Sequence, residues 1–220
     1  MQTRRPIQSK RWTILLNSYR MDNLIRIYDN AMSNEKCQYF VDKFEAHPEM
    51  HEVQVTRDNE AGKAALTRLN LLKEGDTPFK EDFEFLNNLF RENVERYKSD
   101  CQIKSFQFPD KFSFEAFVIK RYLPDTDEEF PPHIDVSGVE YGKRFLVMLT
   151  YLTDNEAGQT ELEVLAHDNL GFEFGSSPCQ KGNMLMFPPY WPWTHAGKVP
   201  TKKPKYTLGT YCQYNSDAPE

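Results

Sequence analysis

The strongest constraint on the fold is a series of short apolar segments in the second half of the chain. They are rich in β-branched and aromatic residues, and turns containing Gly, Pro or Asp separate them. This pattern is typical of antiparallel β-sandwiches and jelly rolls. The predicted strands are Ser113–Tyr122, Arg144–Leu152, Thr160–Val164, Met184–Phe187 and Lys205–Tyr214.

Two helices and one short strand are predicted before this region. The strand is Asn23–Asp29, and Ser33 then has the character of a helix N-cap. The helix that follows has one apolar face and ends at Pro48. A second helix, from about Pro78 to Ser99, has an apolar stripe at helical spacing, which we expect to pack against a sheet. The fold class is therefore mainly β, a jelly roll buttressed by N-terminal α-helices.

Length and composition suggest one domain. We expect residues 1–220 to form a single domain, with a basic N-terminal arm at 1–20, a helical support region at 21–111 and the jelly-roll core at 112–214. The net charge of -6 argues against nucleic acid as the main partner. No apolar run is long enough to span a bilayer. The four cysteines show no close pairing, which indicates reduced thiols and a cytoplasmic location. The sequence is silent on oligomeric state.

Two separated motifs predict a metal site. In a strand, His133 and Asp135 would lie on the same side, because strand side chains alternate with period two. His195, from a distant strand, would complete a 2-His-1-carboxylate triad of the kind that binds non-haem Fe(II). Lys205 follows His195 by ten residues and begins an apolar strand. A competing pair, His167-Asp168, ranks lower because adjacent strand residues point to opposite faces.

These residues resemble the 2-oxoglutarate- and Fe(II)-dependent dioxygenases, and among them the prolyl 4-hydroxylase-like branch. The resemblance covers roughly Ser113 to Tyr214, with its motifs in the family's order. It implies a double-stranded β-helix, which is a form of jelly roll. It also implies Fe(II), O2 and 2-oxoglutarate, with ascorbate as a further reductant. The segments concerned are Phe117–Tyr122, His133–Asp135, Gly142–Leu152, Ala157–Thr160, Lys181–Phe187 and His195–Lys205.

The resemblance also implies roles for individual residues. His133, Asp135 and His195 would be the catalytic iron ligands, and Lys205 would pair with the distal carboxylate of 2-oxoglutarate, although Lys202 and Lys203 compete for that role. Period two places Thr207, Gly209 and Tyr211 on the same face as Lys205. The residues expected to line the cosubstrate pocket are Tyr122, Val147, Leu149, Tyr151 and Thr207.

The sequence constrains the substrate-contacting residues less than it constrains the metal and cosubstrate residues. Arg144 begins its strand on the opposite face from Tyr151, where it would contact either substrate or a surface carboxylate. Trp191 and Trp193 would form either an aromatic wall for substrate or part of the core, and Tyr211 is a further substrate candidate. Acidic residues at 125–129 would favour a cationic substrate if they line the mouth of the site, or would otherwise form a solvated loop. The charged, glycine-containing segment 53–78, in which short strands are possible, is predicted to be a lid.

The leading function is hydroxylation of an unactivated C–H bond in a prolyl residue of a peptide, or in a related small molecule, with release of succinate and CO2. One alternative is a non-catalytic jelly-roll binding module that retains the metal site. Another is an oxygenase acting on nucleic acid or on a free amino acid. Within the superfamily, nucleic-acid demethylases generally bind the cosubstrate through arginine, so Lys205 argues against that branch.

Overall fold

The computed structural model describes residues 24–55, 64–71, 79–165 and 172–215. The predicted basic arm and the His167-Asp168 pair lie outside the described residues. So do residues 56–63 and 72–78, which are most of the predicted lid. The described parts of that segment are strands, so the lid stays a prediction for the remainder. Among the described residues, no helix is long and apolar enough to cross a membrane.

Two α-helices precede most of the strands, as predicted. Helix α1 spans Asn34–Ala46, and the Ser33 side chain caps it by accepting a hydrogen bond from the Lys36 amide. Helix α2 spans Asp82–Asp100. It begins later than predicted because residues 79–81 form a turn, in which the Asp82 amide donates to the Phe79 carbonyl.

Twelve strands in the described residues form two sheets. The major sheet has the order β1-β10-β7-β12-β5-β3-β2, and β4 pairs with β12 beside this path. Its strands are β1 (Arg26–Tyr28), β2 (Glu52–Val55), β3 (Ala64–Asn70), β4 (Phe112–Phe114), β5 (Val118–Tyr122), β7 (Arg144–Tyr151), β10 (Met184–Phe187) and β12 (Lys205–Tyr214). The minor sheet has the order β6-β11-β8-β9. Its strands are β6 (Phe130–His133), β8 (Asn155–Leu165), β9 (Phe172–Cys179) and β11 (Thr194–Gly197).

The two faces of the major sheet have different neighbours. The outer face packs against the helices in a large cluster that includes Phe40, Phe90 and Leu208. A smaller cluster, with Leu162 and Phe187, fills part of the space between the two sheets. This arrangement confirms the predicted jelly roll and the predicted position of the helices outside one sheet.

Three strands of the minor sheet, β6, β9 and β11, were not among the predicted strand ranges, although the metal motif placed His133 and His195 in strands. Strand β6 contains two consecutive prolines, which lack the amide donor that a ladder requires. It is nevertheless a strand because it lies at the sheet edge, where proline is tolerated. Strand β11 has only four residues. The sequence pattern of β9 was likewise too weak to be recognised.

Candidate metal and cosubstrate site

Strands β6 and β11 bring together the three predicted metal ligands. His133 and His195 are direct partners in the antiparallel register of the minor sheet. His195 Nε2 lies 3.3 Å from Asp135 Oδ2, and His133 Nε2 lies 3.6 Å from Asp135 Oδ1. One ligand atom from each residue lies within 4.8 Å of the others, as a single metal ion requires.

Asp135 is not in a strand, contrary to the prediction. Strand β6 ends at His133, and Asp135 lies in the bend that follows. Its backbone amide donates to the Pro189 carbonyl at 3.1 Å. The carboxylate therefore reaches the histidines through a loop anchored on the β10–β11 connection, and strand alternation is not what aligns it.

The hydrogen bonds of the two imidazoles favour a cation between them. His133 Nδ1 lies 2.8 Å from the Pro131 carbonyl, and His195 Nδ1 lies 3.4 Å from the Trp193 carbonyl. A carbonyl can only accept, so each Nδ1 carries a proton, and the neutral form of each ring would present an Nε2 lone pair. Both lone pairs face the Asp135 carboxylate, whose Oδ2 is buried without a hydrogen-bond partner among the described residues. Three acceptors meeting in this way fit Fe(II).

The protonation states of these ligands suit metal binding. Burial lowers the pKa of His195 to about 4, so its ring is neutral near pH 7. Burial alone would raise the pKa of Asp135, but His195, His133 and a hydrogen bond from Tyr211 outweigh burial and hold this pKa well below its ordinary value. Neutral imidazoles and an ionised carboxylate are the forms that ligate metals.

Two further side chains hold Asp135 in place. The Tyr211 hydroxyl donates to Asp135 Oδ1 at 2.5 Å. Arg144 Nη1 donates to the Asp135 carbonyl at 3.1 Å, while its Nε and Nη2 form a bidentate pair with Glu115 at 2.7 and 2.8 Å. Partners of this kind orient the ligands and tune their affinity for the metal. The sequence predicted Tyr211 as a substrate contact. In the structure its hydroxyl positions Asp135, a candidate metal ligand.

Arg144 lies on the cavity side of its sheet, contrary to simple alternation along its strand. Cys212 on β12 pairs with Leu146 on β7, and the next residue, Gln213, pairs with Arg144, so the register shifts by one residue at this point. The extra residue, Phe145, packs with Leu146 on the helix side. This bulge reverses the alternation and directs Arg144 inward, as bulges beside active sites commonly do.

Tyr211→Phe should weaken metal binding about tenfold, because loss of an outer-shell hydrogen bond typically costs ten- to a hundredfold in metal affinity. The measurement is equilibrium binding of Mn(II), a redox-stable substitute for Fe(II). Tyr214→Phe on the same strand is the matched control, because Tyr214 is 47% exposed and lies away from the ligands. Equal affinities for the two variants would contradict this role for Tyr211.

A cavity of about 820 Å³ adjoins the ligands, between the two sheets. Lys205, Thr207, Gly209 and Tyr211 all line it, so the predicted face of β12 is confirmed. Tyr122, Val147 and Leu149 line it as well. The volume falls within the range of roughly 300–1,000 Å³ that is typical of small-molecule sites.

Lys205 is buried in this cavity without an anionic partner. Its side chain is almost fully buried, and its Nζ has no ion pair or hydrogen bond with any described residue. The ammonium lies 4.8 Å from the centroid of the Tyr122 ring. A Cβ added at Gly197 would lie 3.7 Å from Nζ, and one at Gly158 would lie 3.0 Å from Lys205 Cδ, so both glycines leave room for this side chain. A buried cation without a partner fits an anionic ligand.

Tyr151 does not present its hydroxyl to the cavity, contrary to the prediction. The ring is fully buried, and its hydroxyl lies 2.8 Å from Thr160 Oγ1 and 3.2 Å from the Ser177 carbonyl. Thr160 itself lines the cavity. Tyr151 therefore connects the two sheets behind the site and contacts the cavity only through Thr160.

Neither of the two tryptophans that were predicted as a possible aromatic wall, Trp191 and Trp193, lines the cavity. Trp191 is 75% exposed, and Trp193 packs against the smaller apolar cluster. The interpretation of Trp193 as part of the core is the one that the structure supports. The exposed Trp191 has no contact with the site.

The acidic loop at 125–129 also lies outside the cavity lining. Glu128 is buried and accepts a hydrogen bond from the Leu123 amide at 2.7 Å, so it organises its own loop. Glu129 lies 3.7 Å from the Lys198 ammonium. The suggestion that these acids select a cationic substrate therefore has no structural support.

The cavity contains cations that the sequence analysis did not identify as site residues. Lys120 and Arg68 line it, on β5 and β3. Period-two alternation from Tyr122 would have placed Lys120 on the inner face. No such signal existed for Arg68, because its strand lies in the segment that was interpreted as a turn-rich loop.

Comparison with known proteins agrees with this geometry. Residues 117–213 match the model of the 2OG-Fe(II) oxygenase superfamily. This part of the chain is therefore similar to that superfamily. The match covers all three candidate ligands and Lys205, and it confirms the predicted class of enzyme, a 2-oxoglutarate- and Fe(II)-dependent dioxygenase. The chain matches no curated protein.

Solved structures show the same fold at low sequence identity. A viral collagen prolyl hydroxylase from Paramecium Bursaria Chlorella virus-1, in its 2OG complex, has a TM-score of 0.59 at 15% identity, covering 88% of this chain and 97% of that one. A Trichoplax adhaerens prolyl hydroxylase, solved with a hypoxia inducible factor peptide fragment, has a TM-score of 0.63 at 16% identity, covering 90% and 85%. A Pseudomonas putida prolyl-4-hydroxylase has a TM-score of 0.59 at 10% identity, covering 88% and 97%. The fold is thus that of the prolyl hydroxylases.

Proposed function

We propose that the protein hydroxylates a prolyl residue in a peptide, or a closely related small molecule. In this reaction one atom of O2 enters succinate and the other enters the substrate C–H bond, while 2-oxoglutarate loses CO2. The observation that supports this function most strongly is the convergence of three metal-ligating acceptors beside a cavity with a buried, unpartnered lysine. The prolyl hydroxylases that share the fold suggest the prolyl substrate.

His133, Asp135 and His195 would hold Fe(II), which when bound activates O2 at the expense of the oxidative decarboxylation of 2-oxoglutarate. The protein's own contribution is to position these groups and to shield them from water. The low pKa of Asp135 keeps its carboxylate ionised, Tyr211 restricts rotation of that carboxylate, and Arg144 fixes the backbone carbonyl of the same residue.

Lys205 would bind the distal carboxylate of 2-oxoglutarate, and Thr207, the next inward residue on β12, would add a hydrogen bond. In a site with little water, an ammonium attracts a carboxylate more strongly than at an exposed surface. Val147 and Leu149 on the neighbouring strand supply apolar contact for the methylene groups.

The affinity for 2-oxoglutarate should depend on pH. Burial lowers the pKa of Lys205 to about 8 in the free protein. A bound carboxylate favours the charged form and raises this pKa again. The affinity for 2-oxoglutarate should therefore be greatest below pH 8. Above pH 8 it should fall about tenfold for each pH unit, until the pH exceeds the pKa of Lys205 in the complex with 2-oxoglutarate.

The measurement is calorimetric titration of 2-oxoglutarate into the Mn(II)-loaded protein on both sides of that pH. Mn(II) affinity, measured in parallel, controls for changes at the metal ligands. An affinity for 2-oxoglutarate that does not change above pH 8 would contradict the pairing with Lys205.

The function itself is tested with Fe(II), 2-oxoglutarate and a library of proline-containing peptides, with free proline included. We expect succinate to form in proportion to a product that has gained one oxygen atom, located on the prolyl ring by tandem mass spectrometry. Turnover of 2-oxoglutarate with oxygen added to another residue type would refute the prolyl substrate and leave the oxygenase class intact.

A further inference from the structure

Lys120 is a second cation in the cavity, and the proposed binding of iron and 2-oxoglutarate does not use it. It lies on the inward face of β5, between Val118 and Tyr122, and its cross-strand partners are Arg68 on β3 and Thr207 on β12. Its ammonium lies 5.0 Å from the centroid of the Phe130 ring. Among the described residues, Lys120 has no ion pair and no hydrogen bond with a side-chain acceptor.

The other charges of the cavity are already compensated. Arg144 forms its bidentate pair with Glu115. Arg68 Nη2 lies 2.9 Å from Glu52 Oε2 on the edge strand β2, and Arg68 is exposed. Asp135, the remaining acid of the cavity lining, is directed at the two histidines. Lys205 would be neutralised by the cosubstrate.

The charge balance of the loaded site leaves one positive charge. Fe(II) would bring two positive charges, which Asp135 and one carboxylate of 2-oxoglutarate would balance. The distal carboxylate cancels Lys205. Lys120 remains, and its half-buried ammonium has no anionic partner among the described residues. Burial lowers the pKa of Lys120; Asp135 opposes this effect, whereas Arg68 and Arg144 add to it. A further anion in the cavity would therefore stabilise the ammonium.

We propose that Lys120 binds a carboxylate of the primary substrate, so that the substrate is an acidic prolyl compound. The inference rests on the proposed function and adds the charge of the substrate to it. Lys120 is then a specificity-determining residue. The carboxylate belongs either to the prolyl residue itself, as in a free or C-terminal proline, or to a neighbouring acidic side chain.

The shape of the site agrees with this assignment. Lys120 lies on the side of the cavity formed by β3 and β5, and Gln54, Arg68 and Asn70 continue the polar lining toward the sheet edge. His133 lies close by, because its ring centroid is 4.1 Å from that of Phe130. A substrate entering from this edge would place its carboxylate on Lys120 and its ring near the metal ligands.

The test is calorimetric binding to the protein loaded with Mn(II) and 2-oxoglutarate. One pair of probes is N-acetyl-proline and its amide, which differ in the carboxylate of the prolyl residue itself. A second pair is acetyl-Pro-Asp-amide and acetyl-Pro-Asn-amide, which differ in a neighbouring carboxylate. In at least one pair, we expect the acid to bind about tenfold or more tightly than its neutral counterpart, as a charge-assisted hydrogen bond implies.

Lys120→Met should abolish this preference while keeping the apolar stem of the side chain, and Lys120→Arg should restore much of it. Lys80→Met is the matched control, because Lys80 is exposed and lies far from β5 in the chain. Lys120→Met should reduce the affinity for 2-oxoglutarate far less than Lys205→Ala does, since the ammonium of Lys205 is intact.

Three outcomes would overturn the assignment. In the first, the wild-type protein binds no probe, or binds the acid of each pair no more tightly than its neutral counterpart. In the second, Lys120→Met keeps the preference for the acid unchanged. In the third, Lys120→Met loses as much affinity for 2-oxoglutarate as Lys205→Ala does. Failure of the proposed function is distinguished by the peptide assay with the wild-type protein, where it appears as absence of 2-oxoglutarate turnover or as oxygen added to a residue other than proline. A protein that hydroxylates proline but gives one of the three outcomes above refutes the assignment of Lys120 alone.

Discussion

Asp135→Ala is expected to abolish metal binding at micromolar concentrations and all turnover of 2-oxoglutarate. The substitution removes the one anionic ligand and leaves two neutral imidazoles, a set with much lower affinity for Fe(II). Asp135→Asn should have nearly the same effect, because its amide can still accept the hydrogen bond from Tyr211 but supplies no negative charge. The measurements are equilibrium binding of Mn(II) and succinate formation with Fe(II).

Asp110→Ala is the control for this experiment, because Asp110 is exposed and belongs to no strand of the site. Circular dichroism of both variants tests whether the fold is kept. If Asp135→Ala retained metal binding and turnover, the assignment of His133, Asp135 and His195 as the metal site would be wrong.

Lys205→Ala should raise the 2-oxoglutarate concentration for half-maximal succinate formation by a few hundredfold. The reason is that the distal carboxylate would enter a buried site without its partner, which costs on the order of 3–5 kcal/mol. Metal binding should survive, because no ligand has been changed. This separation of the two affinities distinguishes Lys205 from the metal ligands.

Lys202→Ala and Lys203→Ala are matched controls from the same segment. Both side chains are exposed, and Lys202 forms a surface ion pair with Glu156 at 2.6 Å. Such pairs contribute little, so neither substitution should change the half-maximal concentration appreciably. Lys205→Met tests whether any defect comes from loss of packing. Lys205 would be excluded as the cosubstrate residue by a wild-type half-maximal 2-oxoglutarate concentration in Lys205→Ala. A larger increase of that concentration in either control would exclude it as well.

The sequence alone was sufficient to predict much of this architecture. Alternation along Lys205–Tyr214 placed Lys205, Thr207, Gly209 and Tyr211 on one face, and all four line the cavity. The apolar stripe of α2 predicted its packing against a sheet. These features follow from local periodicity, which depends on the chain's own geometry and needs no knowledge of its neighbours.

The tertiary structure decided the features that depend on contacts between distant segments. Asp135 reaches the histidines through a bend anchored on Pro189, and a bulge at Phe145 directs Arg144 inward. The Tyr151 hydroxyl bonds to Thr160 across the sheets. The bulge reverses the face that alternation assigns to Arg144, because a single extra residue changes the face that a side chain occupies. Asp135 and Tyr151 keep the expected side, but contacts with distant segments decide how their polar groups are held.

The charged residues of the cavity show most clearly which features the sequence determined and which the tertiary structure decided. The acidic run at 125–129 is conspicuous in the sequence, yet none of its residues lines the cavity. Lys120 and Arg68 are far apart in the chain, and the pairing of β3 with β5 makes them neighbours beside the metal ligands. The sequence by itself determined which charged groups are available. Strand pairing, which depends on long-range contacts, determined which of them line the cavity.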